Sequence, residues 1–139
     1  VATFNKINSF VENVAEKVHN LGSDTLKVVL TNSAPVATNT VLANITQIAN
    51  GNGYTTGGTQ AVQSSSAQTS GTYKLVLADV LFTASGGSIG PFRYAALYND
   101  TATNDELIGW YDYGTELTIT SGNSFLVDFD PTAGVLTIT

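Results

Sequence analysis

The sequence predicts a mainly β chain: an antiparallel β-sandwich of jelly-roll type with one N-terminal α-helix. Two observations predict it, and a third bears on what the chain contacts. Apolar residues recur at a period near 3.6 over residues 4–20, and the period changes to two after Gly22. About eight short apolar runs follow, separated by Gly-rich turns and interrupted by only three prolines. Between Lys27 and Lys74 lie 46 consecutive residues with no Asp, Glu, Lys, Arg or His. Their polar surface is Thr, Ser, Asn, Gln and Gly, which is cheaper to desolvate than a carpet of Lys and Glu and suits a chain packed against other protein.

The elements follow in order. Phe4, Ile7, Phe10, Val11, Val14 and Val18 form one helical stripe, with Asn5, Asn8, Glu12, Asn13, Glu16 and Lys17 outside it. Thr3 is the candidate N-cap. His19-Asn20-Leu21-Gly22 supplies the stop, with Gly22 suited to the left-handed conformation. Residues 25–31 place Leu26, Val28 and Leu30 on one face of a strand. Residues 36–49 stay open between a short strand and a helical turn around Ile45 and Ile48. From 50 to 71, 15 of 22 residues are Gly, Ser, Thr or Asn, so this stretch reads as a long loop or arm with one strand near Ala61-Val62.

Residues 73–83 are mostly apolar and read as one central strand, broken by Ser85-Gly86-Gly87. Residues 92–98 and 106–113 flank Asn99-Asp100-Thr101-Ala102-Thr103-Asn104-Asp105, the clearest hairpin in the chain. With its turn centred on Ala102, Tyr94 faces Trp110 and Arg93 faces Tyr111. Residues 117–120 and 125–129 form a second hairpin about Ser121-Gly122-Asn123, and 134–139 is a last strand. The whole is one domain, 1–139, divided into helix 4–20 and sandwich 24–139. Its folded accessible area should be about 6,900 Å².

Composition excludes several chemistries. There is no cysteine, so disulfides and thiolate metal sites are out, and a single histidine cannot make a His-rich metal site. Five basic against 11 acidic groups give a net charge of −6, which argues against nucleic acid as a partner. No apolar run approaches the ~20 residues of a membrane span, so no membrane partner is expected. The first residues carry no basic and apolar leader pattern, which predicts synthesis and folding in the cytoplasm.

Candidate sites are few. Asp100, Asp105 and Glu106, beside Asn99 and Asn104, could offer calcium its oxygen ligands. They fit a polar turn at the protein surface better. Asp112, Glu116, Asp128 and Asp130 could pair for acid–base chemistry. A solvated edge is the commoner reason for such pairs. His19, in the last turn of the predicted helix, suits carbonyl capping there, and no nucleophile elbow accompanies it. No catalytic residue, no metal site and no cofactor is therefore expected. The aromatic group is the candidate interface: Arg93, Tyr94, Tyr98, Trp110, Tyr111 and Tyr113 combine the residue types of an interaction hot spot or a sugar platform. Roughly half of them would serve the core through cross-strand pairing.

Several stretches carry a likeness. They are residues 2–12 (ATFNKINSFVE), 30–35 (LTNSAP), 70–77 (SGTYKLVL), 90–94 (GPFRY) and, most strongly, 97–114 (LYNDTATNDELIGWYDYG). With these the chain resembles the head-decoration, or cement, proteins of tailed phages, in particular the jelly-roll cement proteins of Bordetella-type short-tailed phages. The likeness spans nearly the whole chain and is weakest at 50–69. It implies a non-enzymatic virion protein on the outer surface of a capsid, clamping neighbouring capsomers. The implied partners are the major capsid protein and a second copy of the chain, a dimer in preference to a trimer. The rival expectation is a tail or fibre component that reads glycans through Trp110 and the neighbouring tyrosines.

Overall fold

A computed structural model describes residues 2–139. The chain is mainly β, with antiparallel sheets and one short helix. Its accessible surface is 7002 Å², close to the area expected for a monomer of this size. Ten strands and one α-helix run in the order β1 (Phe4–Lys6), α1 (Phe10–Ala15), β2 (Leu26–Thr31), β3 (Thr59–Gln60), β4 (Gln63–Thr69), β5 (Thr72–Leu77), β6 (Val80–Thr83), β7 (Ile89–Asn99), β8 (Leu107–Ile119), β9 (Ser124–Val127) and β10 (Leu136–Ile138). They form a five-stranded sheet β1-β8-β7-β2-β3, a three-stranded sheet β10-β5-β4 and a two-stranded ribbon β6-β9.

One core lies where these three sheets meet. Leu26, Val28 and Leu30 of β2, Phe92, Ala95 and Leu97 of β7, and Ile108 of β8 come from the large sheet. Leu75 and Leu77 of β5, with Val80, Phe82 and Val127 of the ribbon, face them. The predicted inward face of β2 is thus the observed one. A second cluster, Ile7, Val29, Ile45, Ala96, Tyr98 and Leu107, covers the opposite face of the large sheet. From the 32–58 excursion Ile45 and Leu42 pack there, whereas Ile48 and Tyr54 join the first core. That excursion carries a 3₁₀ turn at Leu42–Asn44 and is stapled down by Tyr54, 1% exposed. The Tyr54 hydroxyl donates to Gln47 Oε1 at 2.8 Å and accepts from Leu30 N at 3.3 Å.

The N-terminal helix is shorter than its stripe predicts. Residues 4–6 are strand β1, in register as Phe4↔Tyr111, Asn5↔Trp110 and Lys6↔Gly109. The helix itself has six residues and stops at a Schellman turn: Lys17 is left-handed at φ 66, and Val18 N donates to Asn13 O at 2.8 Å. Gly22 is not the terminator. Spacings of three and four are met equally by a strand, a turn and a short helix that all send apolar residues to one core. Gly109 is part of the reason β1 docks. A Cβ there would lie 2.4 Å from Phe4 Cζ and 2.5 Å from Asn5 O, so only glycine admits the strand. Ser9, not Thr3, precedes the helix, and it makes no side-chain cap. Val11 is 56% exposed and lies outside the buried stripe.

Three further expectations change. Residues 73–83 are two strands: at Ala78-Asp79 the chain leaves the three-stranded sheet for the ribbon, and Asp79 Oδ1 accepts from Phe129 N at 2.8 Å. The second hairpin does not form as one. β8 runs unbroken to Ile119, and β9 pairs with β6 (Leu81↔Leu126, Phe82↔Phe125) instead of returning along β8. The 50–71 stretch is not an arm. It contains β3 and β4, which flank Ala61-Val62 rather than include it, and Tyr54 in the core.

Candidate interaction surface

The β7–β8 hairpin carries most of the candidate residues, and its register decides what they do. Pairing is Tyr94↔Asp112, Ala95↔Tyr111 and Ala96↔Trp110, two residues from the predicted alignment. The turn causes the difference. Asn99 N donates to Glu106 O, Asp105 takes a left-handed φ of 54, and the ladder slips between Leu97 and Tyr98. Arg93 consequently meets Asp112 and not Tyr111. Its Nε and Nη2 grip the two carboxylate oxygens at 2.8 and 3.1 Å, with the guanidinium 5.4 Å from the Tyr94 ring centre. The pair holds the Asp112 carboxyl below its ordinary range, with help from the Gly114 N–H.

The six aromatic and arginine candidates do not share one surface. Tyr111 and Tyr113 turn inward. Tyr111 lies 5.4 Å from Phe4 and 5.9 Å from Phe129, and Tyr113 meets Phe125 edge-on at 5.0 Å. Burial pushes the Tyr113 hydroxyl up to about 12. Trp110 and Tyr98 pack in the second cluster on the other side of the sheet. Tyr98 is 1% exposed, and its hydroxyl donates to Gly57 O at 2.6 Å. Arg93, Tyr94 and Trp110 are half-buried on the outer sheet face beside Asp112.

The 99–106 turn is built from local hydrogen bonds. Lys27 pairs with Asp100 at 3.0 Å. Glu106 accepts from Asn104 N and Nδ2, both at 3.2 Å. Burial, then Asp100 and Glu106, raise the Asp105 carboxyl. Among the described residues no group of three His, Cys, Asp or Glu is placed to hold a metal ion. The turn is not wholly at the surface, however. Asn99 is fully buried and is a structural residue that pattern reading missed. Its Oδ1 accepts from Thr101 N and Ala102 N at 2.9 and 3.2 Å. Its Nδ2 donates to Asp24 Oδ2 at 2.7 Å and to His19 Nδ1 at 3.0 Å. His19 is therefore not a helix cap. It lies beyond the helix, buried and stacked 5.6 Å from Phe10, with its Nε2 buried and without a partner. Asn99 can only donate from Nδ2, so the proton of the neutral ring is on Nε2.

Two surfaces have the form of contact sites. The first is the outer edge of β4. Every residue of Ser64–Thr69 is exposed, none is charged, and among the described residues no strand pairs with its far side. Edge strands are ordinarily guarded by Lys, Pro or inward charge; here only a bulge between Gln63 and Ser65 interrupts the edge. The second is a trough between β8 and β9. One part, about 520 Å³, runs between Tyr111–Gly114 and Phe125–Phe129. A second part, about 480 Å³, shares Ala2, Tyr111 and Asp128 and continues past Phe4 to Val135. Asp112, Asp128 and Asp130 line it, and no lysine or arginine does. A wider groove near Val14, Val18 and Tyr73 is lined by both Lys17 and Asp24 and so has no charge preference. Comparison of the chain with protein-family profiles, with curated proteins and with solved structures finds no match.

Proposed function

We propose that this is a structural protein of a tailed-phage virion, a non-enzymatic decoration protein that binds the outside of the capsid and cements neighbouring capsomers. The observation that carries the reading is the uncharged stretch 28–73, whose residues 64–69 form the exposed, open edge of β4. Such a surface sheds water at low cost and presents backbone donors and acceptors to other protein. The likeness of residues 97–114 and of the N-terminal stretch to cement proteins supports it. Under this reading the three sheets around one core are the two layers of a jelly-roll-type sandwich, with β5 and β6 as one bent strand of the second layer.

Self-association through β4 belongs to the proposal. Two copies related by a two-fold axis would pair β4 with β4 antiparallel. With no charged side chain in the strand, no like charges meet across the axis. A single seven-residue edge buries little, so each contact is weak in solution and gains strength by repetition on a lattice. Imaging the native particle that carries this protein tests the reading: density for it is expected on the outer capsid surface, bridging capsomers. Density at the tail, or none, overturns it. The rival of a glycan-reading tail component draws less support, because Trp110 packs in the second cluster while Tyr111 and Tyr113 face the other side of the sheet.

A further inference from the structure

We infer that the trough between β8 and β9 takes an extended segment of a partner protein, one with apolar residues on alternate positions and a lysine or arginine at one end. The segment would add a strand to β9.

Backbone geometry comes first. β9 is bonded to β6 on one side only, and β8 beyond Tyr111 has β7 on one side and, among the described residues, no strand on the other. Two open edges therefore border the same trough. An extended chain can satisfy the β9 edge with its own N–H and C=O groups, the mode by which peptides join exposed sheets.

Side chains decide the occupant. On β9 the residues alternate: Phe125 and Val127 face the core, while Leu126 faces outward. Leu126 is directly opposite Leu81, and the two are 45% and 55% exposed. An added strand would thus have apolar neighbours on both faces. Its inward side chains would reach Tyr111 and Tyr113, and its outward ones would lie beside the leucine pair. Of the six exposed large apolar side chains among the described residues, Leu81 and Leu126 are the only two paired directly across strands.

Charge sets polarity. Asp112 is neutralised by Arg93, and Asp130 Oδ1 is held by Thr132 N and Ala133 N at 2.7 and 2.9 Å. Asp128 is exposed and makes no ion pair among the described residues. Lys74 donates to Thr132 O at 2.7 Å and acts on Asp130, so Asp128 is the carboxylate of the trough left uncompensated among the described residues. A cationic residue is favoured there and an acidic one repelled.

This inference rests on the assembly reading for the partner's class, and its test separates the two. The probe is the blocked peptide Lys-Val-Thr-Leu-Ser-Val-Lys, with a copy carrying Glu at both ends. Amide hydrogen exchange of the full chain is followed by NMR. Slowed exchange at Ser124–Val127 is expected with the lysine peptide and not with the glutamate copy. Leu126→Lys, on an exposed position, should weaken binding by at least about tenfold. Asp128→Asn should weaken it about two- to fivefold, the range for an exposed charge pair. Protection confined to β4, no protection, or indifference to Leu126→Lys overturns the inference. Co-sedimentation with undecorated heads completes the test. If wild-type and Leu126→Lys chains bind heads equally, the trough fails while the capsid reading stands. If neither binds heads but the peptide still protects β9, the capsid reading fails and the trough stands.

Discussion

Four hydrogen bonds converge on the Asn99 side chain, two accepted and two donated. Asn99→Leu would leave His19 Nδ1 without its partner in the core and an apolar side chain facing the half-buried Asp24 carboxylate, and would strip the turn N–H groups of Thr101 and Ala102 of their acceptor. Each unsatisfied buried group costs about 1–3 kcal/mol, so a loss of at least about 3 kcal/mol in denaturant unfolding is expected. His19 gives this network a pH dependence. Burial lowers its pKa from the ordinary 6.5, against the opposing pull of Glu106 and Asp24. Protonation would also set an N–H on Nδ1 against the donating Asn99 amide. The unfolded chain then binds the proton first as pH falls. Stability is present in full above 6.5 and declines as pH drops from there toward the folded value. A denaturation midpoint that is flat from pH 8 to 5 would contradict this. The raised Asp105 carboxyl works with the opposite sign and at lower pH, from its ordinary 3.8 upward. Neither role could be read from pattern, because a buried Asn in a turn-forming run looks like any other turn Asn.

At the scale of elements, the short helix and the strand before it make opposed predictions for neighbouring residues. Phe10 is 4% exposed, so Phe10→Ala should cost about 3–5 kcal/mol. Val11 is 56% exposed, so Val11→Ala should change stability by less than about 0.5 kcal/mol. A helix over residues 4–20 would have buried both. Circular dichroism should accordingly report helix near 7% of the chain. Gly109→Ala tests strand β1: its Cβ must displace the Phe4 ring and the Asn5 carbonyl, and a loss of about 1–3 kcal/mol with fraying of β1 is expected in thermal melts and hydrogen exchange. The period-two strand β2, the 92–98 and 106–113 hairpin strands and the C-terminal strand were legible because each alternates or runs apolar across one core. What was not legible has a common cause. Where the chain switches sheets, as at Ala78-Asp79 or after Ile119, the apolar run continues on both sides of the switch, and periodicity has no marker for a change of partner.

The whole molecule bears out the mainly β expectation and leaves the aromatic candidates divided. Arg93, Tyr94, Tyr98, Trp110, Tyr111 and Tyr113 were selected by residue type on paired strands, and the pairing is real. Facing, however, follows the alternation of β8, which sets Trp110 on one side and Tyr111 and Tyr113 on the other, while the slip between Phe92 and Tyr94 brings Arg93 beside Asp112. The contact surfaces that the structure offers, β4 and the trough, are made of residues with little sequence signal of their own. Ser and Thr on an edge read as loop, and Leu126 reads as core. At this scale the open β4 edge predicts reversible self-association that rises with concentration, and Ser65→Lys should shift it toward monomer in sedimentation velocity without lowering the melting temperature.

The strand order β1-β8-β7-β2-β3 also sets a timetable for synthesis. Phe4 waits for Tyr111, and β2, whose only earlier strand partner is the two-residue β3 with Ala61 beside it, waits for β7 to complete its ladder. At roughly 5–20 residues per second, a ribosome needs several seconds to make the missing partners. During that interval the emerging β2, with Leu26, Val28 and Leu30, has only the two-residue β3 as a strand to pair with. The hairpin β7–β8, joined by a short turn, closes locally and becomes the template on which both earlier strands settle. A nascent chain released before Leu107 should therefore leave β1 protease-sensitive, whereas one carried past Ile119 should protect it on β8.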